Sequence, residues 1–156
     1  MPKSLRTFMQ LGLRQQGIVL HAWCLFVIWQ VKITYLPYRI WQSALYKHTE
    51  FQDERDAHLR AIKICNLIEK AARHHVVKIN CLRRCMVQKQ ILHTHKINSQ
   101  LSIGVKKDQG KIAAHCWLVV NNHIINDSNE ETSQYVELQR ITSNEKNEIN
   151  SLNGLL

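Results

Sequence analysis

The chain has 156 residues, 45% of them hydrophobic, and a formal net charge of +9. This length suits one domain that buries roughly 70% of its unfolded surface, and five glycines with two prolines exclude long flexible linkers. The charge is uneven, because residues 1–49 hold six basic residues and no acid, whereas residues 126–156 hold six acids against two bases. A basic half fits nucleic acid, anionic lipid or an acidic peptide, and charge alone does not choose among them.

The chain contains five cysteines, an odd number without the spacing of a disulfide framework. They are Cys24, Cys65, Cys81, Cys85 and Cys116. The basic start is not followed promptly by the apolar core and small-residue cleavage site of a signal peptide. We therefore expect a cytoplasmic protein with reduced thiols.

Residues 1–50 are predicted to form a basic helical region. Ser4 can cap a first short helix, Gly17 interrupts the pattern, and residues 18–29 form the most hydrophobic run of the chain. At 1.5 Å per residue this run spans only ~18 Å, short of a ~30 Å bilayer core. We therefore expect a buried core helix, with contact between residues 17–36 and a membrane surface as the alternative.

Three further helical segments are predicted. Residues 38–46 are expected to add a helical turn or two, and residues 51–56 form a charged connector. Between residues 56 and 75, apolar residues recur at three- and four-residue steps, which predicts an amphipathic helix. Its apolar positions are Leu59, Ile62, Cys65, Ile68 and Ala72. Asn80 is a good N-cap residue and predicts a helix over residues 81–95.

The periodicity then changes from 3.6 to 2, which predicts strands. The expected strands are residues 101–105, 111–120, 123–127 and a short one within 134–141. A polar tail, residues 142–156, is expected to follow. These elements predict an α+β fold, in which the helical region precedes a core over residues 51–141 built from a helix and an antiparallel sheet.

Three residues of this core carry reactive side chains. Cys81 opens the last predicted helix, His115 lies on an apolar strand, and Asp127 ends the next strand. A thiol, a base and an orienting carboxylate are the minimal set for acyl transfer by a cysteine. The N–H groups and positive dipole end of a helix start favour thiolate and can stabilise an oxyanion. Each residue alone also fits an ordinary packing role.

The remaining cysteines are interpreted as packing residues. Cys85 lies one turn after Cys81 and is expected to face the core, and strand alternation is expected to point Cys116 away from His115. Cys24 and Cys65 lie within apolar stretches and are expected to pack there.

The hairpin between the last two long strands decides whether Asp127 shares a face with His115. A two-residue loop at Asn121 and Asn122 pairs residue 115 with residue 128, which puts Asp127 on the opposite face. A three-residue loop that includes Val120 pairs residue 115 with residue 127, and Asn tolerates the left-handed conformation that a bulged loop needs. We therefore predict the three-residue loop.

Zinc binding by Cys81, Cys85, His93 and His95 is a second hypothesis, because these side chains suit that metal. Their spacing is not that of a common zinc finger, and His93 and His95 cannot share a face of a regular helix. The chain also has no aromatic–basic recognition motif or phosphate-cradling glycine loop. We therefore expect neither a metal nor a nucleic-acid partner.

Four features of the core fall in a fixed order along the chain. They are Cys81-Leu82-Arg83-Arg84, Leu101-Ser102-Ile103-Gly104-Val105, Ala114-His115-Cys116-Trp117-Leu118 and Asp127. Together they resemble the lasso-peptide biosynthesis B proteins, transglutaminase-like cysteine proteases that remove the leader from a ribosomally made precursor. That family usually has Ala-His-Ala-Trp-Val where this chain has Cys116 and Leu118, and usually has Gly in the hairpin where this chain has Asn122.

The resemblance covers most of residues 1–128 and implies a transglutaminase/papain-like core. It implies that Cys81 is the nucleophile, His115 the general base and then acid, and Asp127 the residue that orients the histidine. It also implies a split form of the family, with three partners: the precursor peptide, a separate leader-recognition protein and an ATP-using lasso cyclase. Some family members are described as ATP-dependent, but the chain has no nucleotide motif, so no bound cofactor is expected. A transglutaminase-like acyltransferase or amidase and an inactive scaffold are the alternatives.

Overall fold

The computed structural model describes residues 8–46, 51, 55–108 and 110–140. Helices precede a four-stranded antiparallel sheet, which confirms the α+β class. The helices are α1 (Leu13–Tyr35), α2 (Tyr38–Tyr46), α3 (Ala57–Arg73), α4 (Cys81–Thr94) and α5 (Asn129–Thr132). The strands are β1 (Gln100–Asp108), β2 (Lys111–Val120), β3 (His123–Ile124) and β4 (Val136–Arg140), in the order β3-β2-β1-β4.

Helix α1 is longer than the apolar run that predicted it. It continues through Gly17, so the predicted interruption is wrong, because one glycine costs a helix only ~1 kcal/mol and packing outweighs that cost. Its 23 residues span ~34 Å, whereas the predicted apolar run over residues 18–29 spans only ~18 Å. By length and composition alone, α1 passes as a membrane-crossing helix. The helix predicted to start at Ser4 begins outside the described residues.

Helix α3 packs against α1 and α4, but the face it buries differs from the predicted one. Cys65 and Ile68 are buried as expected, whereas Leu59 is 50% exposed. Small side chains at Ala57 and Ala61 are buried instead. Because alanine lets helix backbones approach closely, the contact face is rotated away from the bulkier Leu59.

Helix α4 lies between the other helices and the sheet. Asn80 caps it as predicted, since its Oδ1 accepts a hydrogen bond of 3.0 Å from the Arg83 N–H. Five of its apolar side chains are buried between α1, α3 and β2. They are Cys85, Met86, Val87, Ile91 and Leu92. The core position predicted for Cys85 is confirmed.

The sheet is built on the pairing of β1 with β2. Strand β2 has the predicted bounds, whereas β1 continues past the predicted 101–105 to Asp108. The short strand expected within residues 134–141 is β4, which pairs with β1. Helix α5 was not predicted; the Ser128 hydroxyl caps it by accepting a 3.1 Å bond from the Glu131 N–H. The predicted tail, residues 142–156, lies outside the described residues.

The predicted three-residue hairpin loop is wrong. Val120 pairs with His123, so the loop between β2 and β3 contains only Asn121 and Asn122. These residues have φ values of 48° and 62°. Positive φ at both central positions is the signature of a type I′ turn, whose twist matches that of the flanking strands, and asparagine tolerates it. The twist match favours this turn over the bulged loop.

Gly104 on β1 provides the first test of the packing. A Cβ at this position would lie 2.8 Å from both Trp117 Cη2 and Tyr135 Cβ, whereas a Cβ at Gly17 on α1 meets nothing within 4 Å. We expect Gly104→Ala to lower the free energy of unfolding by ~1–3 kcal/mol through overpacking. Gly17→Ala should raise it by about 0.5–1 kcal/mol through helix propensity.

Urea denaturation followed by circular dichroism measures both changes. Coincident transitions for Gly104→Ala and the unchanged protein would contradict the close packing of Trp117 and Tyr135 over this glycine.

Candidate active site

Strand β3 pairs with β2 over only two residues, and its early end creates the site. Beyond Ile124, the Ile125 N–H still donates to the Leu118 carbonyl at 3.1 Å. The Leu118 N–H, however, donates to the Asn126 side-chain Oδ1 at 2.8 Å instead of to a strand carbonyl. The chain therefore bends away from the ladder, and in the described part of the chain no strand pairs with Cys116 on the side of β2 opposite β1.

This bend brings Asp127 to His115. Continuing the two-residue hairpin as a ladder would put the two side chains on opposite faces, yet Asp127 Oδ2 lies 2.6 Å from His115 Nε2. Both side chains are 16% exposed, and the Ser128 N–H donates to Asp127 Oδ1 at 2.9 Å. With Nε2 engaged by the carboxylate, Nδ1 is the ring nitrogen that remains to exchange a proton with a thiol.

Cys81 is the first residue of α4, and its thiol contacts both Cys116 and His115. The pKa of Cys81 is lowered to about 5. The Cys116 side chain is the largest cause, because it hydrogen-bonds the thiolate; burial opposes it, and the His115 charge, a His115 hydrogen bond and the Cys116 backbone add to the lowering. The Cys81 side chain is therefore a thiolate at neutral pH.

The start of α4 also offers backbone donors beside this thiolate. Asn80 takes up two of the first four N–H groups, since its side chain accepts from Arg83 and its carbonyl accepts from Arg84. The N–H groups of Cys81 and Leu82 have no acceptor within the helix. They are candidates to bind an oxyanion that forms at the nucleophile.

Three cysteines meet at the open edge of β2. The Cys85 thiol donates to the Cys116 carbonyl at 3.3 Å, and the Cys116 backbone bonds to Cys81. Hydrogen bonds with the Cys81 and Cys85 thiols, together with burial, raise the pKa of Cys116. Cys116 therefore stays a thiol and serves as a donor to Cys81. Sequence reasoning missed this contact, although the cysteine at a position where the resembled family usually has alanine was a signal.

A polar network behind the site holds Asp127. Arg84 Nη2 lies 3.4 Å from Asp127 Oδ2, and Arg84 Nε lies 3.5 Å from Glu69 Oε1. The Gln88 side-chain amide donates to Glu69 at 2.9 Å and accepts from Asn126 at 2.7 Å. Sequence reasoning missed this network as well, although residues 84 and 88 share a helical face with residue 81.

The structure does not bring together the cysteines and histidines of the zinc hypothesis. Cys81 and Cys85 lie in the first turns of α4, whereas His93 is near its end, ~18 Å away along the helix, and packs its ring against Phe51. Among the described residues, no three His, Cys, Asp or Glu side chains are grouped to hold a metal. The packing role predicted for Cys65 is confirmed, but Cys24 is exposed, because its side of α1 faces away from the core.

A thiolate-bearing helix start packed on an antiparallel sheet that carries a histidine and its carboxylate partner is typical of cysteine-dependent acyl-transfer proteins. Comparison with protein families agrees: residues 25–140, more than two thirds of the chain, match the Transglutaminase-like superfamily, and the chain belongs to it. Proteins of this superfamily are commonly cysteine peptidases or transferases. Comparison with curated proteins and with solved structures gave no significant match.

The lowered pKa of Cys81 can be measured by alkylation. Because the thiolate is the reactive form, the rate of Cys81 modification by iodoacetamide should rise through about pH 5 and then level off. Cys116→Ala removes the largest cause of the lowering, so the midpoint should move up towards the ordinary thiol value. Mass spectrometry of the modified peptide at a series of pH values gives both midpoints.

Cys24→Ala is the matched control, since Cys24 is exposed on α1 and should leave the midpoint unchanged. A midpoint near pH 8–9 in the unchanged protein would show that Cys81 is an ordinary thiol.

Proposed function

We propose that this protein is a cysteine peptidase that removes the leader from a ribosomally made lasso-peptide precursor. The observation that carries the proposal is the contact of a low-pKa Cys81 thiol with His115, which is itself held by Asp127. Membership of the Transglutaminase-like superfamily supports the reaction class, and the motif resemblance at Cys81, His115 and Asp127 supports the substrate.

In the proposed reaction, the Cys81 thiolate attacks the carbonyl carbon of the peptide bond that joins leader to core. The carbonyl electrons move to oxygen, and the Cys81 and Leu82 N–H groups stabilise that oxyanion. When the oxyanion collapses, the C–N bond breaks and the imidazolium of His115 gives its proton to the departing amine. The leader is left as a thioester on Cys81.

Water completes the cycle. His115 takes a proton from water, the resulting hydroxide equivalent attacks the thioester, and the C–S bond breaks to release the leader acid and the thiolate. Asp127 keeps the Nε2 proton in place, so Nδ1 faces the reacting atoms throughout, and its charge stabilises the imidazolium. Arg84 fixes the Asp127 carboxylate against β2.

The proposed partners follow from the resemblance. A separate leader-recognition protein presents the precursor, and the freed amine passes to an ATP-using cyclase that closes the macrolactam. A cavity of about 340 Å³ lies away from Cys81, against Trp29, Met86 and Lys89. The proposed substrate is an extended peptide, presented to the half-buried Cys81 thiol.

The direct test is mass spectrometry of the cognate precursor incubated with this protein, the recognition protein and ATP. We expect cleavage at the leader–core junction, its loss in Cys81→Ala, and its retention in Cys24→Ala. If the unchanged protein leaves the precursor intact while precursor and recognition protein are shown to bind, the peptidase proposal fails.

An acyltransferase or amidase is the second candidate, because the superfamily includes transferases and these three side chains do not choose the acyl acceptor. Adding a primary amine to the same reaction separates the two. Peptidase action releases the free acid even when amine is present. An acyltransferase instead yields the amide adduct of the leader, and does so only with Cys81 intact.

The orienting role of Asp127 is a separate prediction. Asp127→Asn keeps the shape but loses the charge that holds the His115 tautomer, so kcat should fall on the order of 10²–10⁴-fold. The matched control is Asp108→Asn, at an exposed carboxylate on the end of β1, which should leave kcat unchanged. Rates are taken from initial cleavage of the precursor, with thermal unfolding as the check on folding. An unchanged kcat in Asp127→Asn would remove Asp127 from the mechanism.

A further inference from the structure

Helix α1 is apolar on two opposite sides. One side is buried against α3 and α4, through Ala22, Leu25, Phe26 and Trp29. The other side is exposed and follows a repeat of three, four and seven residues, which makes a single stripe along the helix. We name this stripe the outer face of α1; it consists of Leu13, Leu20, Val27, Ile28, Val31 and Tyr35, which are 86, 58, 40, 44, 47 and 77% exposed.

The outer face is too large and too apolar to be an ordinary water-facing surface. It runs along a helix of ~34 Å, and exposed Leu36, Tyr38 and Ile40 continue it into α2. A soluble protein rarely leaves so long an apolar stripe in water. Something outside the described fold is therefore expected to cover it.

The charge around the outer face indicates what covers it. Arg14 on α1 and Arg39 on α2 are exposed, whereas the Lys32 ammonium lies over the Trp29 ring on the buried side. Residues 1–49 contain no acid. A second copy of the chain would bring the same positive charge against these basic side chains, which disfavours a self-complementary dimer. An anionic surface is attracted to the same side chains.

The shape of the region excludes a membrane-spanning arrangement. The buried side of α1 is part of the core, and the Trp29 ring N–H donates to Gln90 on α4 at 2.9 Å. Crossing a bilayer would require α1 to separate from α3 and α4, which would expose the core residues that it buries. Lying along the surface keeps the core intact and covers only the outer face.

We propose that α1 docks the protein on the surface of a bilayer that contains anionic lipid. The outer face of α1 is then buried at the boundary between headgroups and acyl chains. The basic side chains then lie at the level of the headgroups, and Tyr35 and Tyr38 sit where the apolar and wet layers meet. This docking does not depend on the proposed peptidase activity, because no residue of the candidate active site lies on α1.

Vesicle flotation tests the proposal. The protein should float with vesicles of phosphatidylcholine and phosphatidylglycerol, bind vesicles of phosphatidylcholine alone more weakly, and be released in part by salt. The double variant Val27→Glu/Val31→Glu puts two charges on the outer face and should weaken binding at least ~10-fold. The matched control is Ile112→Glu/Leu138→Glu on the sheet, where the residues are 80 and 59% exposed, and it should bind unchanged.

A second variant tests the charge without altering the packing. Arg14→Gln/Arg39→Gln should reduce both the binding to anionic vesicles and its dependence on salt. Circular dichroism confirms that each variant is folded. Failure of the unchanged protein to float, or equal loss in the outer-face and sheet variants, would overturn the proposal. So would sedimentation showing a dimer, or a complex with the recognition protein, that Val27→Glu/Val31→Glu abolishes while vesicle binding persists.

Discussion

The early end of strand β3 is the constraint on which the candidate site depends. Because the Asn126 side chain takes the hydrogen bond of the Leu118 N–H, the chain leaves the ladder after Ile125. Among the described residues, Cys116 therefore pairs with β1 on one side and has no strand on the other. That open edge admits the start of α4, so Cys81 and Cys85 bond to Cys116 from the helix side. The same departure turns Asp127 back towards His115. This one side-chain hydrogen bond therefore allows both the contact of Cys81 with Cys116 and the contact of Asp127 with His115.

The electrostatics of the site follow from this geometry. A half-buried thiol would ordinarily keep its proton, since burial disfavours the charged form. Here the Cys116 donors, together with the charge and the hydrogen bond of His115, outweigh burial and lower the pKa of Cys81. Arg84 is shared between Asp127 and Glu69, so the carboxylate beside the histidine is itself paired with a guanidinium. The low pKa is therefore a property of the assembled edge rather than of Cys81 alone.

Helix α4 links the site to the rest of the molecule. One side of α4 faces β2 and the polar network and contains Cys81, Cys85 and Gln88. On another side of α4, Gln90 accepts a hydrogen bond from Trp29 of α1. The helices therefore pack behind Cys81 and hold it against the sheet. Helix α1 in turn presents its second apolar side outwards, so the scaffold and the proposed docking surface are two sides of one helix.

Sequence alone determined what depends on neighbouring residues: the Asn80 cap and the start of α4 at Cys81, the bounds of β2 and the α+β order. It also predicted Cys81, His115 and Asp127 as site residues, and the structure brings these three side chains together. Prediction from the sequence failed where the contacts between distant segments decide the structure. The interpretation of the hairpin as a three-residue loop assumes a continuous ladder from His115 to Asp127, and periodicity cannot show where a ladder stops. The buried face of α3, the exposure of Cys24 and the contacts of Cys116 and Arg84 were likewise decided by tertiary structure. Helix and strand periods define which residues share a face, but only the packing of α4 on the open edge of β2 determines which faces meet.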